Sequence, residues 1–334
     1  MHKSSVVPGP LNLITDIPSI KVGNASSDAA KTGVTVLRCA RSFLTAVDIR
    51  GGGPGTRETD TLSPENLVGR ADAIVLAGGS VFGLAAADGV AATLSDQKVG
   101  LRLGEKGPAI PIVPSAILHD LTNDGDKDWG ATPPYRDLGI EALANIGDRF
   151  DLGNVGAGMG AMAGTQKGGL GSASIVLENN VTVGALVAVN PVGSVFMPDG
   201  KCFYAWPWEI GDEFGGVSPP TERDQRHPFP DHSRLKKAPP ETSNTIIAVI
   251  ATNADLTNTE AKRVAMMAHD GIARAVRPAH TPFDGDTVFA VSTGDIPFED
   301  QSPAARHFEI AHIGSAASDC LARAIARGVY EAQR

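Results

Sequence analysis

The chain has 334 residues, 42% hydrophobic and 20% charged, an ordinary globular composition long enough for one large core or two domains. A net charge of −9 argues against nucleic acid as the main partner, and no apolar run reaches the length of a membrane span. Three isolated cysteines, Cys39, Cys202 and Cys320, suggest neither a disulfide framework nor a zinc site, and residues 1–8 carry no apolar leader, so the expected location is the cytoplasm.

After a proline-punctuated start, strands are expected at 34–39 and 43–49, ending in the hard turn Gly51-Gly52-Gly53-Pro54-Gly55. Residues 56–66 read as a loop or short helix. A buried strand at 73–77 runs into Gly78-Gly79-Ser80 and a helical pattern over 81–94. Strand, glycine turn and serine invite comparison with the G-x-S-x-G nucleophile elbow, but Phe82 stands where the second glycine is required. Ser80 is therefore read as a helix N-cap. Residues 110–121 form another apolar segment. The acidic run at 124–128 fails as a calcium loop, because Trp129 replaces the glycine and Tyr135 the bidentate glutamate. A helix is expected over 137–146.

The glycine-dense run at 153–169 contains Gly156-x-Gly158-x-x-Ala161, a near-version of the dinucleotide fingerprint, without the strand before it or the long helix after it. Lys167 is followed by Gly168, which excludes a P-loop. Such a run lets backbone N–H groups converge on a small site, and it carries one cation, Lys167. Arms at 172–178 and 181–190 read as a hairpin turned at Asn179-Asn180. Asn190 ends the second arm, either as a turn former or as an amide aimed into a cleft.

Residues 207–244 are loaded with proline, glycine and charge, so irregular, solvent-exposed structure is expected. The run 244–251 then reads as a buried central strand with Thr245 near its start. Most threonines so placed merely open a strand. A cut between Asn244 and Thr245 would, however, leave Thr245 with a free α-amine beside its own hydroxyl, a nucleophile with its base built in. Thr257-x-x-Glu260 is a capping box, followed by a one-sided helix through Ala261, Val264, Ala265, Ala268, Ile272 and Ala275 up to Pro278. Asp284-Gly285 on its own marks a turn before a strand at 287–291. A closing helix is expected at 315–330.

Several of these features occur together in one family. The chain resembles the self-cleaving N-terminal-nucleophile hydrolases that include L-aminopeptidase/D-esterases, β-aminopeptidases and nylon-oligomer (6-aminohexanoate oligomer) endo-hydrolases. The resemblance runs through the segments at 77–84, 153–174, 189–193 and 244–247, and through His280-Thr281-Pro282-x-Asp284-Gly285-Asp286-Thr287. It implies a single four-layer α/β/β/α catalytic domain over residues 1–334. Cleavage at Asn244-Thr245 would divide it into a large subunit (1–244), with its linker at about 207–244, and a small subunit (245–334). The units would assemble as homotetramers or larger rings. It further implies Thr245 as nucleophile, Asn190 as oxyanion donor, Lys167 as the site cation, and Asp284 and Asp286 as orienting carboxylates that also suit a substrate ammonium. Many members break at Gly-Ser and have Ser and Glu where this chain has Asp284 and Asp286, so it looks more like the nylon-oligomer branch. Trp129 and Tyr135 are candidates for the substrate pocket. No metal or organic cofactor is implied.

The expected activity is hydrolysis of amides in short peptides or ω-amino-acid oligomers through an acyl-Thr245 intermediate. Acyl transfer of the ornithine-acetyltransferase kind and non-enzymatic small-molecule binding are the alternatives.

Overall fold

The computed structural model describes residues 6–104, 106–221, 227–236 and 244–334. In chain order its elements are β1 (Ile20–Ser27), β2 (Thr32–Ile49), β3 (Thr56–Arg57), β4 (Arg70–Ala77), α1 (Ala85–Asp96), β5 (Ser115–Ile117) and α2 (Tyr135–Ala144). There follow a small hairpin, β6 (Met162–Ala163) and β7 (Gln166–Lys167), then β8 (Gly169–Val176), β9 (Thr182–Asn190), β10 (Thr245–Ala254), α3 (Asn258–Ala275), β11 (Thr287–Ile296) and α4 (Pro303–Ala332). Nine strands are hydrogen-bonded in the order β3-β5-β4-β2-β11-β10-β9-β8, with β1 added to β2.

One strand serves two layers. The two expected at 34–39 and 43–49 are a single 18-residue strand, β2. Its first part pairs with β1 and β4, its register with β4 shifts between Arg38 and Phe43, and its last residues pair with β11 from Leu44↔Ser292 to Ile49↔Thr287. The gap between the two expected strands, Ala40-Arg41-Ser42, is where the pairing with β4 shifts register. A bulge adds residues to one strand and turns it without ending the pairing.

Alternation along β10 explains the layering. Ile246, Ala248 and Ile250 join the core beneath α3 and α4, whereas Ile247, Val249 and Ala251 join a second core with Ile74, Leu76, Leu186 and Phe289. A third core packs Ala86, Val90, Tyr135 and Leu138 against Val34, Val36 and Val75. Three apolar interiors separate four layers, giving the expected α/β/β/α sandwich. Because β10 is covered on both faces, its sequence is an unbroken apolar run.

α3 carries the expected capping box, with Thr257 and Glu260 reciprocally bonded. α4 begins twelve residues before the expected 315, at Pro303 after the Ser302 cap, because its first turns bury little and give no periodic signal. Ser80 is not a helix cap. Gly79, at φ +81°, leads into a tight turn over Ser80–Leu84, and Ser80 makes no capping bond. The described part of 207–244 has only the short turn Trp206–Trp208 as regular structure. It is less exposed than its composition suggested: Phe214 is buried, and Glu213 pairs at 2.5 Å with the buried Arg323 of α4. A guanidinium placed in a core needs its partner there, and the connector supplies it. Residues 222–226 and 237–243 lie outside the described residues.

Candidate active site

Thr245 is the first residue of β10 and is buried. Alternation puts its side chain on the face of Ile247 and Val249, at the end of the space between the two sheet layers. Asn190 lies directly across from it, in register on β9, and Leu186 and Ala188 show that Asn190 points to the same side. The Thr245 hydroxyl donates in a very short contact to the carbonyl oxygen of Asn244, which also receives the Gly285 N–H at 2.8 Å. Asn244 is further fixed by its own N–H on the Phe283 carbonyl, 2.8 Å. Gly285 has to be glycine for space alone. A Cβ there would lie 2.9 Å from the Thr245 hydroxyl and 2.6 Å from the Gly53 carbonyl.

Residues 190–192 tie the surroundings together. The Asn190 side-chain Oδ1 accepts the Met162 N–H (2.8 Å), so its Nδ2 donates to the His119 carbonyl (3.1 Å). That bond uses one of two N–H groups. Pro191 accepts from the Gly164 N–H (3.0 Å), and Val192 accepts from the Arg234 N–H (2.9 Å). The Val192 N–H reaches Asp284 Oδ1 at 3.2 Å.

Both carboxylates are buried and held by fixed donors. Asp284 Oδ2 accepts from the Thr281 hydroxyl (2.6 Å) and N–H (3.0 Å). Burial, and next the charge of Asp286, push the Asp284 carboxyl up to about 6. Asp286 Oδ1 accepts from Ile246 N–H (2.8 Å), and its Oδ2 from His280 Nδ1 (2.7 Å) and His280 N–H (3.2 Å). The His280 ring packs edge-on to His269, centroids 4.9 Å apart, and His269 Nε2 donates to the Asp48 carbonyl at 3.0 Å. Burial pushes His269 down to about 4, so it is neutral near pH 7. The loop lies on the expected Gly51–Gly55 turn, with Gly53 N–H on the Asp284 carbonyl at 2.9 Å and Arg50 N–H on the Asp286 carbonyl at 2.9 Å.

The remaining sequence candidates are placed differently. Lys167 sits opposite Met162 in the β6–β7 hairpin, so its backbone flanks the site, but its side chain is exposed and has no polar partner among the described residues. Tyr135 is fully buried and donates to the Thr32 hydroxyl at 3.2 Å. Trp129 is half-buried and packs edge-on to Tyr135 and to the partly exposed Phe82. The ring contacts and hydrogen bonds of the two side chains run to Phe82, to each other and to Thr32, and not to Thr245. The Tyr135–Thr32 pair leads to Asp120, whose other oxygen takes the Gly79 N–H at 2.7 Å, so this cluster braces the loop that offers the His119 carbonyl to Asn190. Among the described residues no group of three or more His, Cys, Asp or Glu side chains is arranged to hold a metal.

With this geometry, residues 12–334 match the model of peptidase family S58. The chain belongs to that family. It is 44% identical to an uncharacterized aminopeptidase of Mycobacterium tuberculosis over 336 residues, covering 97% of this chain and 95% of that one. It is 33% identical to the 6-aminohexanoate-oligomer endohydrolase of a Kocuria species, over 84% of this chain and 75% of that one. In fold it is similar to the L-aminopeptidase D-Ala-esterase/amidase of Ochrobactrum anthropi, described as a variant of the Ntn-hydrolase fold, with TM-score 0.70 and 22% identity over 97% and 87% of the two chains. The β-aminopeptidase of a Burkholderia species aligns with TM-score 0.69 and 21% identity over 97% and 88%. The protein is a hydrolase of peptide or amide bonds.

Sequence reasoning missed the family member's most conspicuous cation near the junction. Arg234, in the irregular connector, donates through Nε to the Gly164 carbonyl (2.8 Å), through Nη2 to the Met162 carbonyl (2.9 Å), and through Nη1 in a very short contact to Asn244 Oδ1. A single arginine in a charged stretch carries no sequence signal. His280 did stand inside the quoted 280–287 motif, yet only the fold reveals its bond to Asp286.

Proposed function

We propose that this family S58 hydrolase cuts itself between Asn244 and Thr245 and then works as an N-terminal-threonine amidase. The carrying observation is the Thr245 hydroxyl resting on the Asn244 carbonyl while the Gly285 N–H bonds the same oxygen. The hydroxyl oxygen attacks the Asn244 carbonyl carbon, charge builds on the carbonyl oxygen facing Gly285, and the C–N bond breaks. The hydroxyl proton ends on the departing Thr245 nitrogen, and water hydrolyses the resulting ester to the Asn244 carboxylate. Fixed donors of this kind act where charge develops, and each typically contributes on the order of 10²–10³ in rate.

The freed amine, with an unperturbed pKa near ~7.7–8.0, accepts the hydroxyl proton when Thr245 attacks a substrate amide and returns it to the leaving amine. Asn190's second N–H suits the substrate oxyanion. Asp286, through Ile246 N–H, and Asp284 orient the nucleophile's end of β10, and Lys167 supplies positive charge once its side chain turns inward. Substrates are short peptides or ω-amino-acid oligomers, a class to which the 6-aminohexanoate-oligomer relative belongs by name. The cut units form a homo-oligomer. The three cysteines, all buried and unpaired, fit a reducing cytoplasm.

On a denaturing gel the purified protein should run as two bands of about 25 and 9 kDa, the 34.6 kDa mass divided in proportion to 244 and 90 residues. N-terminal sequencing of the smaller should read Thr-Ile-Ile-Ala. Active protein that stays at full length overturns the reading.

A further inference from the structure

In the uncut chain, Asn244 occupies the place any substrate's acyl residue must take, because its carbonyl carbon is the one Thr245 attacks. This rests on the threonine-nucleophile reading above. The groups that hold the residue include Gly285 N–H on its carbonyl, the Phe283 carbonyl on its N–H, and Arg234 Nη1 on its side-chain Oδ1.

We infer that Arg234 forms an acyl-side subsite that selects substrates whose N-terminal residue ends, one carbon beyond Cβ, in a carboxamide or carboxylate. The guanidinium does not depend on Asn244 for its position. Its other two bonds go to the Gly164 and Met162 carbonyls, and its own N–H is on Val192, all in the part of the chain before the cut. Neighbouring anchors repeat the fixation: Thr165 N–H donates to the His232 carbonyl at 2.9 Å, and Met162 N–H is held by Asn190. When the cut releases Asn244, the fork therefore remains with one direction unfilled. A substrate ammonium in place of the Asn244 N–H would meet the Phe283 carbonyl. Its scissile carbonyl would meet Gly285 N–H, and a side-chain oxygen at the Asn244 distance would meet Arg234. Leucine or alanine in that position leaves a desolvated guanidinium donor unpaired, which is how polar subsites reject apolar analogues.

The test compares kcat/KM for L-asparaginyl-, L-aspartyl- and L-leucyl-p-nitroanilide with the processed wild-type enzyme and with Arg234→Met and Arg234→Lys. Wild type should favour the asparaginyl or aspartyl substrate by about tenfold to a hundredfold, the range for a hydrogen bond to a charged group. In Arg234→Met that ratio should collapse toward one, mainly through KM, and in Arg234→Lys it should be partly restored. A flat wild-type ratio, or an Arg234→Met ratio equal to wild type, overturns the subsite.

Should Arg234→Met not mature, the precursor supplies the second readout. In freshly translated chains, Asn244→Asp should still be cut, whereas Asn244→Leu should be cut about tenfold more slowly; equal half-times for Leu and Asn overturn the proposal. A wild-type chain that is never cut refutes the threonine reading itself. One that is cut and hydrolyses all three substrates alike refutes only the role of Arg234.

Discussion

Two loops flank the junction, and they are built to different standards. In the loop after it, 280–286, Asp284 and Asp286 accept six hydrogen bonds, two fully buried ones from Val192 and Ile246 N–H and four partly buried ones from His280 and Thr281. The β6–β7 hairpin before it anchors Asn190 and Arg234 through the backbone of Met162 and Gly164, yet leaves Lys167 exposed and without a polar partner among the described residues. In the uncut chain the carboxylates are thus fixed by hydrogen bonds, while the lysine side chain is exposed. Preorganised charge costs no rearrangement at the moment of reaction. In the proposed self-cleavage, the carboxylate loop is ready for the first bond to break and the lysine is not yet engaged.

Removing the nucleophile is the bluntest test. Thr245→Ala should leave a 34.6 kDa band and lower amide hydrolysis by about 10⁴-fold or more, whereas Thr245→Ser keeps a hydroxyl and should still be cut. Gly285→Ala attacks the well-built loop. Its added Cβ would lie 2.6 Å from the Gly53 carbonyl and 2.9 Å from the Thr245 hydroxyl, so the loop must shift and the N–H that faces the Asn244 carbonyl shifts with it. Self-cleavage should slow by about 10²-fold. Denaturant unfolding in the Thr245→Ala background should lose about 1–3 kcal/mol, the usual range for overpacking. An unchanged cleavage half-time would remove Gly285 from the mechanism.

The two loops also differ in how far their sequence discloses them. The strand at 244–251, the 172–190 hairpin and the α3 capping box were legible because burial on both faces, β-branched arms and a cap each leave a local pattern. Asp284-Gly285-Asp286 taken blind is a turn, and only its joint occurrence with Thr245 and Asn190 in a family pattern suggested chemistry. What stayed hidden depends on distant pairing. Arg234 reaches Met162, seventy-two residues away, and the Glu213–Arg323 pair joins a proline-rich connector to α4. Neither contact has a spacing to read. β2 was split in two because a bent strand exposes a few polar residues, as a loop would.

Proton uptake gives the next, smaller effect. The Asp284 carboxyl is raised to about 6 by burial and by Asp286. Self-cleavage has no free amine to titrate, so its rate should fall about tenfold per pH unit below pH 6 as this carboxylate protonates. Asp284→Asn should abolish that limb. The same shift fixes a stability sign. The folded value lies above the solution value of 3.8, so the folded chain binds the extra proton between about pH 4 and 6, and stability falls as pH rises through that window. Thermal unfolding of Thr245→Ala at pH 4, 5 and 7 measures this, and the double variant with Asp284→Asn should show a flatter profile.

Lys167 gives the gentlest perturbation and the finest test of the contrast between the loops. Its side chain is exposed and makes no polar contact among the described residues, so Lys167→Met should leave the unfolding midpoint of the Thr245→Ala chain unchanged to within about 0.5 kcal/mol. If the lysine swings inward only after cleavage, its loss should fall on turnover more than on maturation. The processed Lys167→Met enzyme should hydrolyse an aminoacyl-p-nitroanilide at least about tenfold more slowly, consistent with one positioned charge in a partly desolvated site. The half-time for band conversion should change by a smaller factor. Equal losses in both steps would mean that the lysine already acts on the uncut junction. The difference between the loops would then lie only in their hydrogen bonds and not in the order in which they work.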